Sequence, residues 1–196
     1  MTGRGSGGGT PGDGTTYVVL LRAVNLGAHR RIAMADLRDL LAGLGFTGVR
    51  TVLASGNAVM SGPPQEPAGI ARQVEEALVQ RLGLRTGCLV LTGEELLGVV
   101  AGDPFGESAG NGSRYVAIFL SADPDPGLRI GHDPVELDPQ RVRVGRRVIY
   151  QWCPDGILAA PPVGGFVERH WKVSATARNW NTVTKLAALA VPARAD

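Results

Sequence analysis

The segment ATARNWNTVTKLAAL, Ala175–Leu189, sets Arg178, Asn181, Thr182 and Lys185 at i, i+3, i+4 and i+7, the spacing of one helix face. Val183, Leu186, Ala187 and Ala190 repeat that spacing on a second, apolar stripe, the one a helix buries. Two guanidinium or ammonium groups, an amide and a hydroxyl, with no acid between Lys172 and Val191, form a donor set suited to an oxyanion. Arg178 stands near the expected helix start, where a cation opposes the macrodipole and an anion is welcome. Two readings of this face compete: a solvated stripe, or a grip for an anionic ligand such as a nucleotide or nucleic acid. Trp180, at the margin of the apolar stripe, reads as core.

Arg22 and Asn25 leave the first strand-like run, and Asn57 marks a hairpin tip. All three join the candidate ligand-binding set, although Asn57 also reads as a turn residue that tolerates left-handed backbone. A purely structural or protein-interaction module, and an enzyme acting on a small phosphorylated or carboxylated metabolite, are the competing functional classes. The second needs an acid, base or nucleophile that no motif supplies. His29, His132 and His170 lie far apart, and Cys88 and Cys153 form no CxxC pair, so no metal site is expected. GGGTPGDGTT lacks the lysine and preceding strand of a phosphate loop, and no GxSxG elbow occurs. Cys153 with His170 reads as a strand-end thiol and a surface imidazole before it reads as a nucleophile and its base. Glu75–Glu76 and Glu94–Glu95 fit helix solubility and capping. No cofactor and no catalytic residue is expected.

The elements that must position these groups follow from patterning. The 196 residues are 44% hydrophobic and 19% charged, with a formal charge of +2, enough apolar material for a core and too little charge to imply nucleic acid alone. All basic residues but Lys172 and Lys185 are arginine. No apolar run approaches the ~20 residues of a membrane span. Residues 1–16, rich in Gly and Thr, read as a disordered tail without the apolar core of a signal peptide. Free thiols fit a cytoplasmic protein, and its oligomeric state is left open.

YVVLL reads as a buried strand; MADLRDLLAGLG as a helix; VRTVLASGNAVM as a hairpin turning at Ser55-Gly56-Asn57; the stretch after Pro63-Pro64, with Ile70, Val74, Ala77 and Leu78 on one face and Gly83 at its end, as a second helix; LRTGCLVL as a strand. Thr92 and Glu95 have capping-box spacing for a third helix. The order βαββαβ is that of a ferredoxin-like α+β plait, over residues 17–103. After the loop AGDPFGESAGNG, residues 113–190 read as a second, degraded copy. Its crossover SADPDPGLRIGHDP is too rich in Pro and Gly for a long helix, and its end is helical with a break near Val173–Ala177. The arginines of RVRVGRRV suit a solvated sheet edge better than an RNA-binding face, because the strands lack the stacking aromatics.

The strings LLRAVNLG, MADLRDLLAGLGF, VRTVLASGN and TARNWNTVTKL, spread over Tyr17–Leu189, together resemble one bacterial family, the domain of unknown function 1697. The resemblance implies a compact protein of ferredoxin-like α/β subdomains and implies no reaction. Arg22, Asn25, Ser55, Gly56, Asn57, Arg178, Asn179, Trp180, Asn181 and Lys185 match its pattern. Ala23-Val24 departs from it, where relatives run Gly-Ile, and so does ILAAPP, where relatives carry Ser and Lys.

Overall fold

A computed structural model describes residues 14–24 and 31–191. The first half runs β1 (Thr15–Leu21), α1 (Met34–Gly43), β2 (Thr47–Val52), β3 (Asn57–Gly62), α2 (Pro67–Leu82), β4 (Cys88–Thr92) and α3 (Gly93–Ala101). The second runs β5 (Tyr115–Leu120), the short α4 (Pro126–Arg129), β6 (Val142–Val144), β7 (Val148–Trp152), α5 (Val163–His170), β8 (Ala175–Asn179) and α6 (Trp180–Ala190). Each half builds one four-stranded antiparallel sheet, in the orders β2-β3-β1-β4 and β6-β7-β5-β8. The chain is an α+β protein whose halves share one strand order.

Period-2 alternation explains the layering. On β1, Tyr17, Val19 and Leu21 face a core closed by α1 and α2, while Val18 and Leu20 face the opposite way. On β5, Val116, Ile118 and Leu120 meet Val163, Val167 and Trp171 around α5, and Tyr115, Ala117 and Phe119 face inward. The inward faces of both sheets, with Leu96 and Val99 of α3 and Val183, Leu186 and Ala187 of α6, make one continuous core. Both central strands are thus buried on two faces, which is why they read as unbroken apolar runs. The predicted capping box is present: Thr92 Oγ1 accepts from Glu95 N at 3.1 Å and Glu95 Oε2 from Thr92 N at 2.9 Å.

One sequence expectation is corrected. Ala175–Leu189 is not a single helix: Ala175–Asn179 is a strand, antiparallel to β5 with Phe119 opposite Thr176 and Ala117 opposite Arg178. Ala and Arg favour helix in isolation, but the open edge of β5 offers a full ladder, and tertiary pairing overrides local preference. The helix starts only at Trp180. Asn179 is its cap, Oδ1 accepting from Thr182 N at 3.0 Å.

At the tip between β2 and β3 the backbone of Gly56 has φ +72°, and a Cβ there would stand 2.6 Å from Val24 Cγ2 and 2.8 Å from Leu21 Cβ. Gly83, ending α2 at φ +61°, faces open space. Gly83→Ala is expected to cost roughly 1 kcal/mol, from the left-handed backbone alone. Gly56→Ala adds overpacking and is expected to cost about 3 kcal/mol. Urea unfolding of the two variants measures the gap, and equal losses would contradict the close approach.

Candidate functional site

Because Thr176 and Arg178 are two residues apart on β8, they share its inward face, toward the first sheet. Arg178 uses that direction to reach across the molecule. Its Nε donates to Asn57 Oδ1 at 2.5 Å, and its Nη2 to Leu21 O at 2.6 Å and Ser55 O at 3.4 Å. Nη1 donates to Ala177 O at 2.8 Å. Asn57, fully buried, is oriented for this role: its Nδ2 donates to Val52 O at 3.0 Å and Ser55 Oγ at 2.8 Å, which leaves Oδ1 to accept. Every acceptor of Arg178 is a neutral oxygen. No carboxylate among the described residues pairs with it. Burial pushes its guanidinium down to about 10, so it is charged at neutral pH, and its charge is spread over peptide and amide dipoles.

Arg178 borders an open cleft of about 450 Å³ with Arg22, Val24, Ser55, Asn179 and Thr182. On its walls Ala23 (φ +46°) and Leu53 (φ +57°) hold left-handed backbone without being glycine, strain that the surrounding structure must impose. Arg22 is already engaged: its Nη2 lies 2.6 Å from Glu168 Oε1, which also accepts from Ala175 N at 3.0 Å. That pair is about one-third exposed on each side, and exposed pairs contribute little to stability.

The expected helix face is therefore only partly assembled. Arg22, Arg178 and Thr182 share the cleft, with Asn57 behind Arg178. Arg178 is not on the helix, and Thr182 is not on a solvated stripe. It is buried one turn from Leu186 on the packed side of α6, its Oγ1 donating to Asn179 Oδ1 at 2.9 Å. Asn181 and Lys185 are exposed on α6 and do not line the cleft; Asn181 N instead meets Gly112 O at 3.4 Å. Asn25 and His29 lie outside the described residues. Trp180 stacks on Tyr115 with ring centroids 4.6 Å apart, against the core. Sequence reasoning missed Asn179 as a cap, Glu168 as the partner of Arg22, and Thr176. An Asn just before the apolar period was the available signal for the first; nothing local announces the other two.

Both thiols are disfavoured as thiolates. Burial, and then Glu75, pushes the Cys88 thiol far up against the smaller opposing pull of Arg178, and burial likewise raises Cys153. Cys153 Sγ lies 3.7 Å from Gln151 O, while His170 stacks on His132 at 4.3 Å. Among the described residues no group of three or more His, Cys, Asp or Glu is gathered as for a metal ion.

The fold and cleft define a class: an α+β protein of two like-ordered antiparallel sheets joined by an arginine that crosses between them. Residues 15–150 match the family described as "Protein of unknown function (DUF1697)", and the chain belongs to that family. The matched range stops before β8 and α6, so Arg178 lies beyond it. The chain is also similar in fold to the conserved bacterial protein SP0830 from Streptococcus pneumoniae, with a TM-score of 0.60 and 19% identity over 90% of this chain and 99% of that one. Among curated proteins, no sequence matches the chain. No helix among the described residues is long and apolar enough to cross a membrane.

Two outcomes follow from the geometry. Arg178→Met strands the buried Asn57 Oδ1 and should cost about 2–3 kcal/mol in urea unfolding; a loss below about 0.5 kcal/mol, the scale of ordinary surface changes, would mean the reach across the sheets is not formed. A thiol reagent at pH 7–8 should leave Cys88 and Cys153 unmodified in the native protein and modify both after denaturation. Rapid native labelling of either would contradict the raised thiols.

Proposed function

We propose that this protein binds a small anionic ligand of nucleotide size in the cleft between β8 and the exit of β1, with Arg178 as its fixed positive charge. One observation carries the reading: a charged guanidinium borders the cleft with no carboxylate of the described residues against it, held in place by neutral acceptors. Such a group is pre-oriented, and an anion meets its charge at little ordering cost. The cleft's volume lies in the range of small-molecule sites. Arg22 supplies a second guanidinium when an anion competes with Glu168 for it. Nucleic acid is the less favoured ligand, because the exposed cations Lys185, Arg143 and Arg146 are not among the residues that line the cleft.

The same reading includes the finer fold and setting. Residues 17–103 and 113–190 are proposed to be two ferredoxin-like units, supported by the strand order each shares with the other. The compartment proposed is the cytoplasm, supported by two cysteines that remain free.

A structural reading has one observation in its favour: the protein's own oxygens occupy Nε, Nη1 and Nη2 of Arg178. In that case Arg178 is a clasp between the halves and nothing more. Titration calorimetry with ADP and with pyrophosphate at low salt separates the two. Binding that weakens about tenfold or more in Arg22→Gln and Arg178→Lys, a difference of ~1.4 kcal/mol, supports the ligand site. No heat from either probe leaves the clasp alone. Binding of a single-stranded oligonucleotide that falls steeply with salt would shift the ligand to nucleic acid.

A further inference from the structure

A second cavity, of about 220 Å³, opens where α2, the start of β4, the exit of β5, the β6–β7 turn and β8 meet. Two buried side-chain polar atoms lack a hydrogen-bond partner within the protein among the described residues, Arg147 Nε and Thr176 Oγ1. A buried polar atom left unpaired is costly and therefore rare, and here both belong to residues that line one cavity. Thr176 is only 4% exposed, and its strand register turns it inward opposite Phe119.

The rest of the wall sets the charge. Arg147 commits Nη1 to Glu95 Oε1 at 2.9 Å and Nη2 to Ser121 O at 3.1 Å. Its backbone holds φ +53° in the turn, and Nε is the edge left over. Arg72, exposed on α2, has no ion pair among the described residues. Arg22 is held by Glu168. Glu75 also lines the cavity, but its Oε1 is turned onto the backbone amide of Cys88 at 2.7 Å. Of the three guanidinium groups, Arg147 is paired with Glu95 and Arg22 with Glu168, which leaves Arg72 as the one without an ion pair, and Ser121 and Ser174 add hydroxyls.

We infer that this cavity binds the oxyanion group, phosphate or carboxylate, of a small metabolite. Arg147 Nε and Thr176 Oγ1 donate to its oxygens, and Arg72 supplies the unmatched charge. The space is too small for a nucleotide and large enough for a phosphate with a short carbon tail. Arg22 and Thr176 line this cavity and the Arg178 cleft alike, yet the inference rests on the two unpaired donors and not on the Arg178 reading.

Titrating the full-length protein with inorganic phosphate, and separately with acetate, at constant ionic strength tests it by amide chemical shifts and calorimetry. Saturable binding of one of them is expected, and the stronger of the two identifies the group. Thr176→Val, nearly isosteric but without the hydroxyl, and Arg72→Gln, on an exposed helix face, should each weaken it about fivefold. Should Thr176→Val fail to fold, Arg72→Gln with Thr176→Ser, which keeps the hydroxyl and the affinity, decides. Absence of saturable binding by either ion overturns the inference. So does affinity unchanged in both cavity variants, including a Thr176→Val protein that melts higher but binds as before, which is a cavity filled by water. Binding weakened by Arg178→Lys but by neither cavity variant places the ion in the other cleft, and also overturns it.

Discussion

The arrangement depends on one charged hydrogen bond, from Arg178 Nε to the buried Asn57 Oδ1. Asn57 closes the hairpin of the first sheet, and Arg178 belongs to an edge strand of the second, 121 residues away. The amide nitrogen of Asn57 is spent on Val52 O and Ser55 Oγ, which turns its oxygen to the guanidinium. An Asp at that place would neutralise the arginine; the amide fixes its position and leaves the charge. That difference separates a salt bridge from a poised cation.

Around this contact the two halves are alike in more than strand order. Each sheet ends on an edge strand whose first backbone amide is taken by a helix carboxylate: Glu75 of α2 accepts from Cys88 N, and Glu168 of α5 from Ala175 N. Each also ties the exit of its first strand to the segment before its fourth, Arg22 N to Gly87 O and Ser121 N to Ser174 O. Capping an edge amide with a side chain blocks strand addition there. The two edges both line the smaller cavity, together with Arg22 and Ser121 at the matching exits of β1 and β5.

Much of the fold was legible from patterning. Leu37, Leu40 and Leu41 marked α1, and Thr92 with Glu95 marked the start of α3, because local spacing and capping chemistry decide such elements. β8 was not legible. Its five residues, ATARN, do alternate Ala with Thr and Arg, but alanine is a weak strand former and it is the polar pair that faces inward; pairing with the open edge of β5 makes them a strand. The error carried into the site: with Arg178 placed on a helix, it appeared to share a face with Asn181 and Lys185, from which the strand separates it. Arg22 and Asn57 were singled out from their positions after a buried strand and at a turn; in the structure Arg22 lines the cleft and Asn57 accepts from Arg178. Glu168 and Thr176 could not be found, since their meaning comes from partners distant in sequence.

The inner surface of the first sheet has a consequence for biosynthesis. It is covered by α6, whose Val183, Leu186 and Ala187 share a core with Val18, Leu20 and Val59, and Arg50 Nη2 donates to Leu189 O at 3.3 Å. During translation, residues 15–92 can pair into a sheet long before α6 leaves the ribosome; α3 brings Leu96 and Val99 to one part of its greasy inner side, but the part that α6 covers has nothing to lie against until then. The nascent protein must pass through an interval with that part uncovered, and a ribosome that stalls before residue 180 would release a product suited to capture by chaperones and not to independent folding.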